Sequence, residues 1–294
     1  MGIVGYGSNS AFSQLSSFFG RKASHYGVPA VNEARKPAVV VVVNYSGGNT
    51  PKLKASGFDN LSGAELFDAL HDYVNDGAKS LSYGEARYLM YSQLDNISRN
   101  GEKGVLTAYS QILMPGTSGD GSSYREQNDL NGDGVIDKQG INAEHSWPQS
   151  FFREALPMKS DLHHLQSTFV TPNGRRGAYP YGMVSRAIYS TNSGSRLGSD
   201  GVFEPCDANK GNSARAMLYF MLRYHDRSIR SGGYSQQFWT NKVNTLLLWN
   251  RQDPPDENEI RRNELVSRYQ NNRNPFIDDY TLADKIGASV WKSF

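Results

Sequence analysis

The sequence is poor in cysteine and in net charge. Cys206 is the single cysteine among 294 residues, which excludes an internal disulfide framework. Lysine and arginine together number 31 and aspartate and glutamate 29, giving a formal net charge of +2. Because the total charge is nearly balanced, a nucleic-acid-binding surface would need its basic residues gathered locally.

Long apolar runs are absent as well. The longest, residues 38–43, is far too short to span a bilayer, so we expect no membrane partner. Met1 is not followed by a basic segment and an apolar core, so no signal peptide is visible. With 38% hydrophobic and 12% aromatic residues, the composition indicates a folded globular protein rather than a disordered one.

The chain divides at a turn-forming stretch rich in glycine. Residues 1–57 show little periodicity and are interpreted as an N-terminal extension of unclear role, and residues 58–294 as the functional domain. From Ser62 the pattern sharpens, because Ser62 with Glu65 and Ser82 with Glu85 each have the spacing of a helix capping box. These two helices are expected to be scaffold.

Residues 142–176 contain the most informative side chains. Glu144 stands beside His145, which joins an oxygen ligand for a hard cation to a proton acceptor that titrates near neutrality. The amide of Asn173 can complete a magnesium site that keeps most of its waters. Arg175 and Arg176 follow, and a guanidinium group matches phosphate oxygens. Together these groups favour hydrolysis of a phosphodiester.

The order of these motifs resembles the endonuclease I nucleases, which are secreted or periplasmic non-specific nucleases. The resemblance covers roughly residues 58–282 and rests on these blocks: Asn142-x-Glu144-His145-x-Trp147-Pro148-x-Ser150, Asp161-Leu162-His163-His164-Leu165, Asn173-x-x-Arg176, residues 211–224, and residues 270–278. It implies an α+β fold, mostly helical, built around a ββα-metal (His-Me finger) core. It also implies a monomer that cleaves DNA, and RNA too, with little sequence preference and leaves 5′-phosphate ends.

The resemblance assigns roles to the central residues. His145 would be the general base, Glu144 and Asn173 would hold Mg²⁺, and Arg176 would act through the phosphate. Arg175 and Arg273 are candidates for nucleic-acid binding, the second because the matching family position lies near the substrate groove.

Three further residues are weaker candidates for the surroundings of the metal: Asp161, His163 and His164. We expect Asp161–Leu165 to form the second strand of the finger, so that one histidine points inward and one outward. An inward histidine fits either the metal surroundings or a hydrogen-bonded core. Some relatives carry another catalytic arginine, for which Arg153 and Lys159 are candidates.

A stretch before the central motif resembles the opening of a calcium-binding loop. Its oxygen ligands would be Asp129, Asn131, Asp133, the Val135 carbonyl and Asp137, with Gly134 at the sixth position. The bidentate glutamate expected at the twelfth position is replaced by Gly140. A solvated Asp-Gly turn is the competing interpretation.

Two other function classes are consistent with parts of the sequence. One is a calcium-dependent binding module without catalysis, which the loop at Asp129 would support. The other is a zinc hydrolase using His145, His163, His164 or His225, which has less support because the chain lacks an HExxH motif and a second cysteine.

Overall fold

Two helices open the part of the chain that the computed structural model describes, namely residues 57–115, 124, 128–136 and 140–294. Helix α1, Gly63–Asn75, buries one apolar face that includes Leu66 and Leu70. Helix α2, Tyr83–Leu89, continues into a π-helical turn, Met90–Leu94. The predicted N-terminal extension lies outside these residues apart from Gly57, so its role stays a prediction.

Eight short strands form three antiparallel sheets in the described ranges. They are β1 Asn96–Arg99, β2 Glu102–Leu106, β3 Leu113–Pro115, β4 Ile141–His145, β5 Leu165–Phe169, β6 Ala187–Ser190, β7 Arg196–Gly198 and β8 Phe203–Glu204. The sheet orders are β1-β2-β3, β4-β5 and β6-β7-β8. Helix α3, Val170–Arg176, begins directly after β5.

The strands β4 and β5 and the helix α3 form a ββα unit at the centre of the sequence. In the β4–β5 ladder Glu144 lies opposite Gln166 and His145 opposite Leu165. The α+β fold is therefore confirmed. The boundary of the second strand is corrected, because the strand begins at Leu165 and the predicted strand residues from Asp161 to His164 form a turn.

The remaining chain is mostly helical. The helices are α4 Asp207–Tyr224, α5 Val243–Gln252, α6 Glu257–Gln270, α7 Pro275–Asp278, α8 Leu282–Ile286 and α9 Ala288–Lys292. No helix within the described ranges is long and apolar enough to cross a membrane.

Helix α4 anchors the chain that follows β4. Its residues are buried nearly all round, including Phe220, whose ring stacks on the indole of Trp147 at a centroid distance of 5.2 Å. The Trp147 indole N–H donates to the Ile229 carbonyl at 2.9 Å, so the buried ring keeps its polar atom satisfied. Because Trp147 follows His145 by two residues, this packing also holds the end of β4 in place.

Candidate active site

An open pocket of about 540 Å³ lies at the end of β4, and four predicted site residues line it: Glu144, His145, Asn173 and Arg176. Consecutive residues of a regular strand point to opposite faces. Glu144 and His145 reach the same pocket, since His145 is the last residue of β4 and the ladder ends there.

Glu144 is buried and paired. It is 1% exposed, and Arg176 Nη1 donates to its Oε1 at 2.7 Å. The Tyr181 hydroxyl donates to the same oxygen at 3.4 Å. Burial raises the pKa of Glu144, and the charge of Arg176 acts in the opposite direction. The arginine therefore favours the ionised carboxylate, the form that can bind a cation.

The terminal nitrogens of Arg176 donate hydrogen bonds to other groups of the protein. The side chain is 1% exposed, Nη1 also donates to the His145 carbonyl at 2.8 Å, and Nη2 donates to the Ser146 carbonyl at 2.5 Å. The Tyr181 ring lies 4.5 Å from the guanidinium carbon. This geometry supports a positioning role for Arg176, which orients Glu144 and fixes the end of β4.

His145 is held as a neutral base. Its Nε2 lies 3.0 Å from the Lys159 carbonyl, and because a carbonyl only accepts hydrogen bonds, Nε2 carries the proton and Nδ1 the lone pair. Burial, together with the neighbouring His164, lowers the pKa of His145 to about 3. The imidazole can thus accept a proton at neutral pH.

Asn173 lies half-buried on α3 and presents its amide oxygen. Its Nδ2 donates to Asn142 Oδ1 at 2.7 Å and to the Ala143 carbonyl at 3.3 Å. Oδ1 has no hydrogen-bond partner in the described part of the chain. A carboxylate and an available amide oxygen on one open pocket fit a hard divalent cation that retains several waters.

Asn142 was not assigned a role from the sequence. A signal was present, because residues two apart on a strand share a face and Asn142 precedes Glu144 by two. Tyr83 and Arg87 of α2 also line the pocket, although that helix was interpreted as scaffold. Only the folded chain brings α2 to β4, so no local pattern identifies these two residues.

Asp161 lies outside the pocket and has a structural environment. Its carboxylate accepts from Arg223 Nη1 at 2.7 Å, from the Tyr224 hydroxyl at 2.8 Å and from Gln270 Nε2 at 2.8 Å. Burial by itself would raise the pKa of Asp161, but Arg223 and the nearby histidines hold it well below its usual range. Asp161 ties the turn before β5 to α4 and α6.

His163 and His164 are both buried, so the predicted in-and-out alternation is wrong. The reason is the turn conformation, which lacks the two-residue period of a strand. His163 Nε2 donates to the Asn272 carbonyl at 3.2 Å and His164 Nε2 to the Met158 carbonyl at 2.6 Å. Neither lines the pocket, and His164 approaches it only through the His145 ring, 5.4 Å away.

The two arginines proposed for nucleic-acid binding have different environments. Arg175 is exposed on α3, with its guanidinium 5.4 Å from the Tyr189 ring. Arg273 is 4% exposed and is paired with Asp278 and Glu264 through contacts of 2.7 Å. Burial and pairing remove the basis for a phosphate contact by Arg273.

The candidates for a further catalytic arginine also lie outside the pocket lining. Arg153 is exposed, and Lys159 Nζ pairs with Glu154 at 2.5 Å. Arg87 is the arginine that reaches the pocket beside Glu144 and Arg176.

The described part of the calcium-like loop is a hydrogen-bonded turn. The Asp129 carboxylate accepts from the backbone N–H groups of Gly132, Asp133 and Gly134 at 2.8, 3.1 and 2.9 Å. Gly134 has a φ of +82°, a conformation that glycine adopts readily. Asp137 lies outside the described residues, so the full ligand set stays a prediction.

Comparison with known proteins places the chain among nucleases. The Endonuclease I family model matches residues 62–280. An extracellular ribonuclease of Bacillus amyloliquefaciens is 32% identical over 239 residues, which is 76% of this chain and 74% of that protein. An extracellular ribonuclease of Bacillus subtilis (strain 168) is 32% identical over 241 residues, 78% of this chain and 76% of that protein.

The family match covers the ββα unit and the helices around it. Because the family and both relatives are nucleases, the comparison argues against a binding module without catalysis. The chain belongs to the endonuclease I family of nucleases, enzymes that hydrolyse phosphodiester bonds.

Proposed function

We propose that this protein is a secreted, divalent-metal-dependent endonuclease that cleaves RNA as well as DNA, with little sequence preference, and leaves 5′-phosphate ends. One observation carries the proposal. The Glu144 carboxylate, the Asn173 amide oxygen and the neutral His145 imidazole meet at one open pocket. Secretion and RNA as substrate are supported by the two relatives, both named extracellular ribonucleases.

The residues divide the chemistry between them. Glu144 and Asn173 would hold Mg²⁺, which when bound neutralises charge on the phosphate. His145 Nδ1 takes the proton of a water molecule, because Nε2 is committed to the Lys159 carbonyl. Arg176 keeps Glu144 ionised and oriented. Attack of water with departure of the 3′ oxygen leaves a 5′-phosphate.

The surface beside the pocket suits a single strand with unstacked bases. A second depression of about 480 Å³ shares Gly177 and Ala178 with the catalytic pocket and is lined by Tyr179 and Phe238. Tyr179 is 45% exposed, so its ring is available for stacking on a base. Exposed Arg175, in the helix just before this segment, adds positive charge for the backbone.

The test compares an RNA oligonucleotide with its fully 2′-O-methylated counterpart, with Mg²⁺ and with EDTA. Water as nucleophile predicts that both are cleaved, that both yield 5′-phosphate ends, and that EDTA stops both. Cleavage of the unmodified RNA alone, giving 2′,3′-cyclic phosphate, would overturn the proposal because it requires the 2′-hydroxyl as nucleophile.

A pair of variants tests the metal ligands. Asn173→Ala removes the amide oxygen, so we expect half-maximal activity to require a higher Mg²⁺ concentration by roughly tenfold or more. Asn241→Ala, at an exposed position outside the pocket, is the matched control and should leave the requirement unchanged. An unchanged requirement in Asn173→Ala would contradict the ligand assignment.

A further inference from the structure

A second cluster of metal-ligating groups lies outside the catalytic pocket. His71 is on α1, and His225 and Asp226 follow the end of α4. One ligand atom from each of the three side chains lies within 4.8 Å of the others. The distance is short enough for one ion to contact all three groups after small side-chain adjustments.

The two imidazoles share one hydrogen-bond acceptor. His71 Nδ1 lies 2.8 Å and His225 Nδ1 lies 3.2 Å from the Leu222 carbonyl, and their ring centroids are 4.6 Å apart. Since a carbonyl only accepts, each Nδ1 carries the proton and each Nε2 keeps a lone pair. Metal-bound histidines commonly have this arrangement, with one nitrogen free for the metal and the other donating to a backbone carbonyl.

The local charge favours a cation at this place. The cluster is at the C-terminal end of α4, where the helix dipole has its negative pole. Asp226 and Asp68 lie close enough to act electrostatically on His225, so two carboxylates are available beside the imidazoles.

The cluster is only partly anchored by packing. His71 and His225 are half-buried and Asp226 is exposed, so an ion can enter from solvent. The His225 ring packs against Phe67 and Phe294 at centroid distances of 5.0 and 4.9 Å. These ring contacts fix the position of the His225 imidazole.

We propose that His71, His225 and Asp226 bind a zinc-class divalent ion, separate from the catalytic metal, with Asp68 or water as the fourth ligand. Two imidazoles and a carboxylate suit Zn²⁺, which is four-coordinate with nitrogen and oxygen ligands, whereas Mg²⁺ prefers oxygen. The ion joins α1 to the end of α4, two elements far apart in sequence, and thereby stabilises the fold.

The experiment measures zinc binding to the full chain after removal of metals with a chelator. Isothermal titration with Zn²⁺ in excess Mg²⁺ is done on the wild type, His71→Gln, Asp226→Asn and Asp72→Asn. Asp72 is an exposed carboxylate next to His71 on α1, so Asp72→Asn is the matched control. Zinc that binds at the catalytic pocket or at Cys206 contributes equally to all four proteins.

We expect His71→Gln to bind one equivalent less than the wild type, Asp226→Asn to bind that equivalent roughly tenfold or more weakly, and Asp72→Asn to match the wild type. Zinc should raise the melting temperature of the wild type and the control more than that of His71→Gln. Because Asp226 is exposed, Asp226→Asn decides the matter even where His71→Gln folds poorly. Equal stoichiometry and affinity in all four proteins, or no binding in any, would overturn the proposal.

Discussion

Replacing Arg176 by methionine should destabilise the protein through Glu144. The substitution keeps much of the side-chain volume but removes the partner of a carboxylate that is 1% exposed. Breaking one side of a buried ion pair costs about 3–5 kcal/mol, because the remaining charge is buried without compensation. The carbonyls of His145 and Ser146 also lose their donor, which adds about 1 kcal/mol or more.

This loss depends on pH in a definite direction. Burial already raises the pKa of Glu144, and without Arg176 the pKa rises further. A carboxyl group whose folded pKa lies above its unfolded value contributes stability at low pH and loses that contribution as the pH rises through the folded pKa. The deficit of Arg176→Met relative to the wild type should therefore be larger at pH 8 than at pH 5.

The assay is urea denaturation of the wild type, Arg176→Met, Glu144→Gln and the double variant at both pH values. The double variant carries no buried charge at this pair, so we expect it to lose less stability than the two single variants added together. Arg176→Lys, which keeps a cation, is the milder control should Arg176→Met fail to fold. Additive losses at both pH values would refute the argument that Arg176 acts by pairing with Glu144.

Three other predictions concern groups away from this pair. Burial lowers the pKa of His163 and His164 to about 4, against about 6.5 in the unfolded chain, so the free energy of unfolding should fall as the pH drops from about 6.5 to 4. At pH 5 the loss is about 2 kcal/mol for each of these histidines and for His145, whose pKa burial also lowers. Urea titrations at pH 7.5 and 5 should therefore show roughly a third of the combined loss removed in His164→Gln. Arg175→Ala should weaken RNA binding and flatten its salt dependence without lowering the melting temperature. Arg273→Ala should lower the melting temperature, because it leaves Glu264 and Asp278 without their partner. The reverse pattern in binding and melting experiments would contradict an exposed Arg175 and a buried, paired Arg273. If the loop at Asp129 binds calcium, millimolar Ca²⁺ should raise the melting temperature of the wild type more than that of Asp133→Asn, and equal shifts would identify the loop as a turn only.

The site was predictable where its residues lie close together in sequence. Glu144, His145 and Asn173 all belong to one ββα unit, so residue type and order predict that they meet. The Ser82 capping box forms, with Glu85 N donating to Ser82 Oγ at 3.2 Å. At Ser62 the same spacing gives no side-chain cap, so the predicted capping box there is wrong.

Long-range contacts account for what the sequence did not predict. The partners of Arg273 lie on α6 and α7, and nothing local distinguishes a buried arginine with two carboxylates from one facing solvent. Arg87 reaches the pocket because α2 packs beside the chain after β4, and that packing is decided by tertiary structure. His163 and His164 were misplaced because a turn was interpreted as a strand.

The central claim is that His145 activates the attacking water, and chemical rescue tests it most directly. His145→Ala should lower the cleavage rate by about 10²–10⁴-fold while nucleic-acid binding stays near the wild-type level, because positive charge near the pocket is unchanged. Added imidazole can enter the open pocket, so it should restore part of the rate in His145→Ala and have little effect on the wild type. Near-wild-type cleavage by His145→Ala without imidazole would contradict the account.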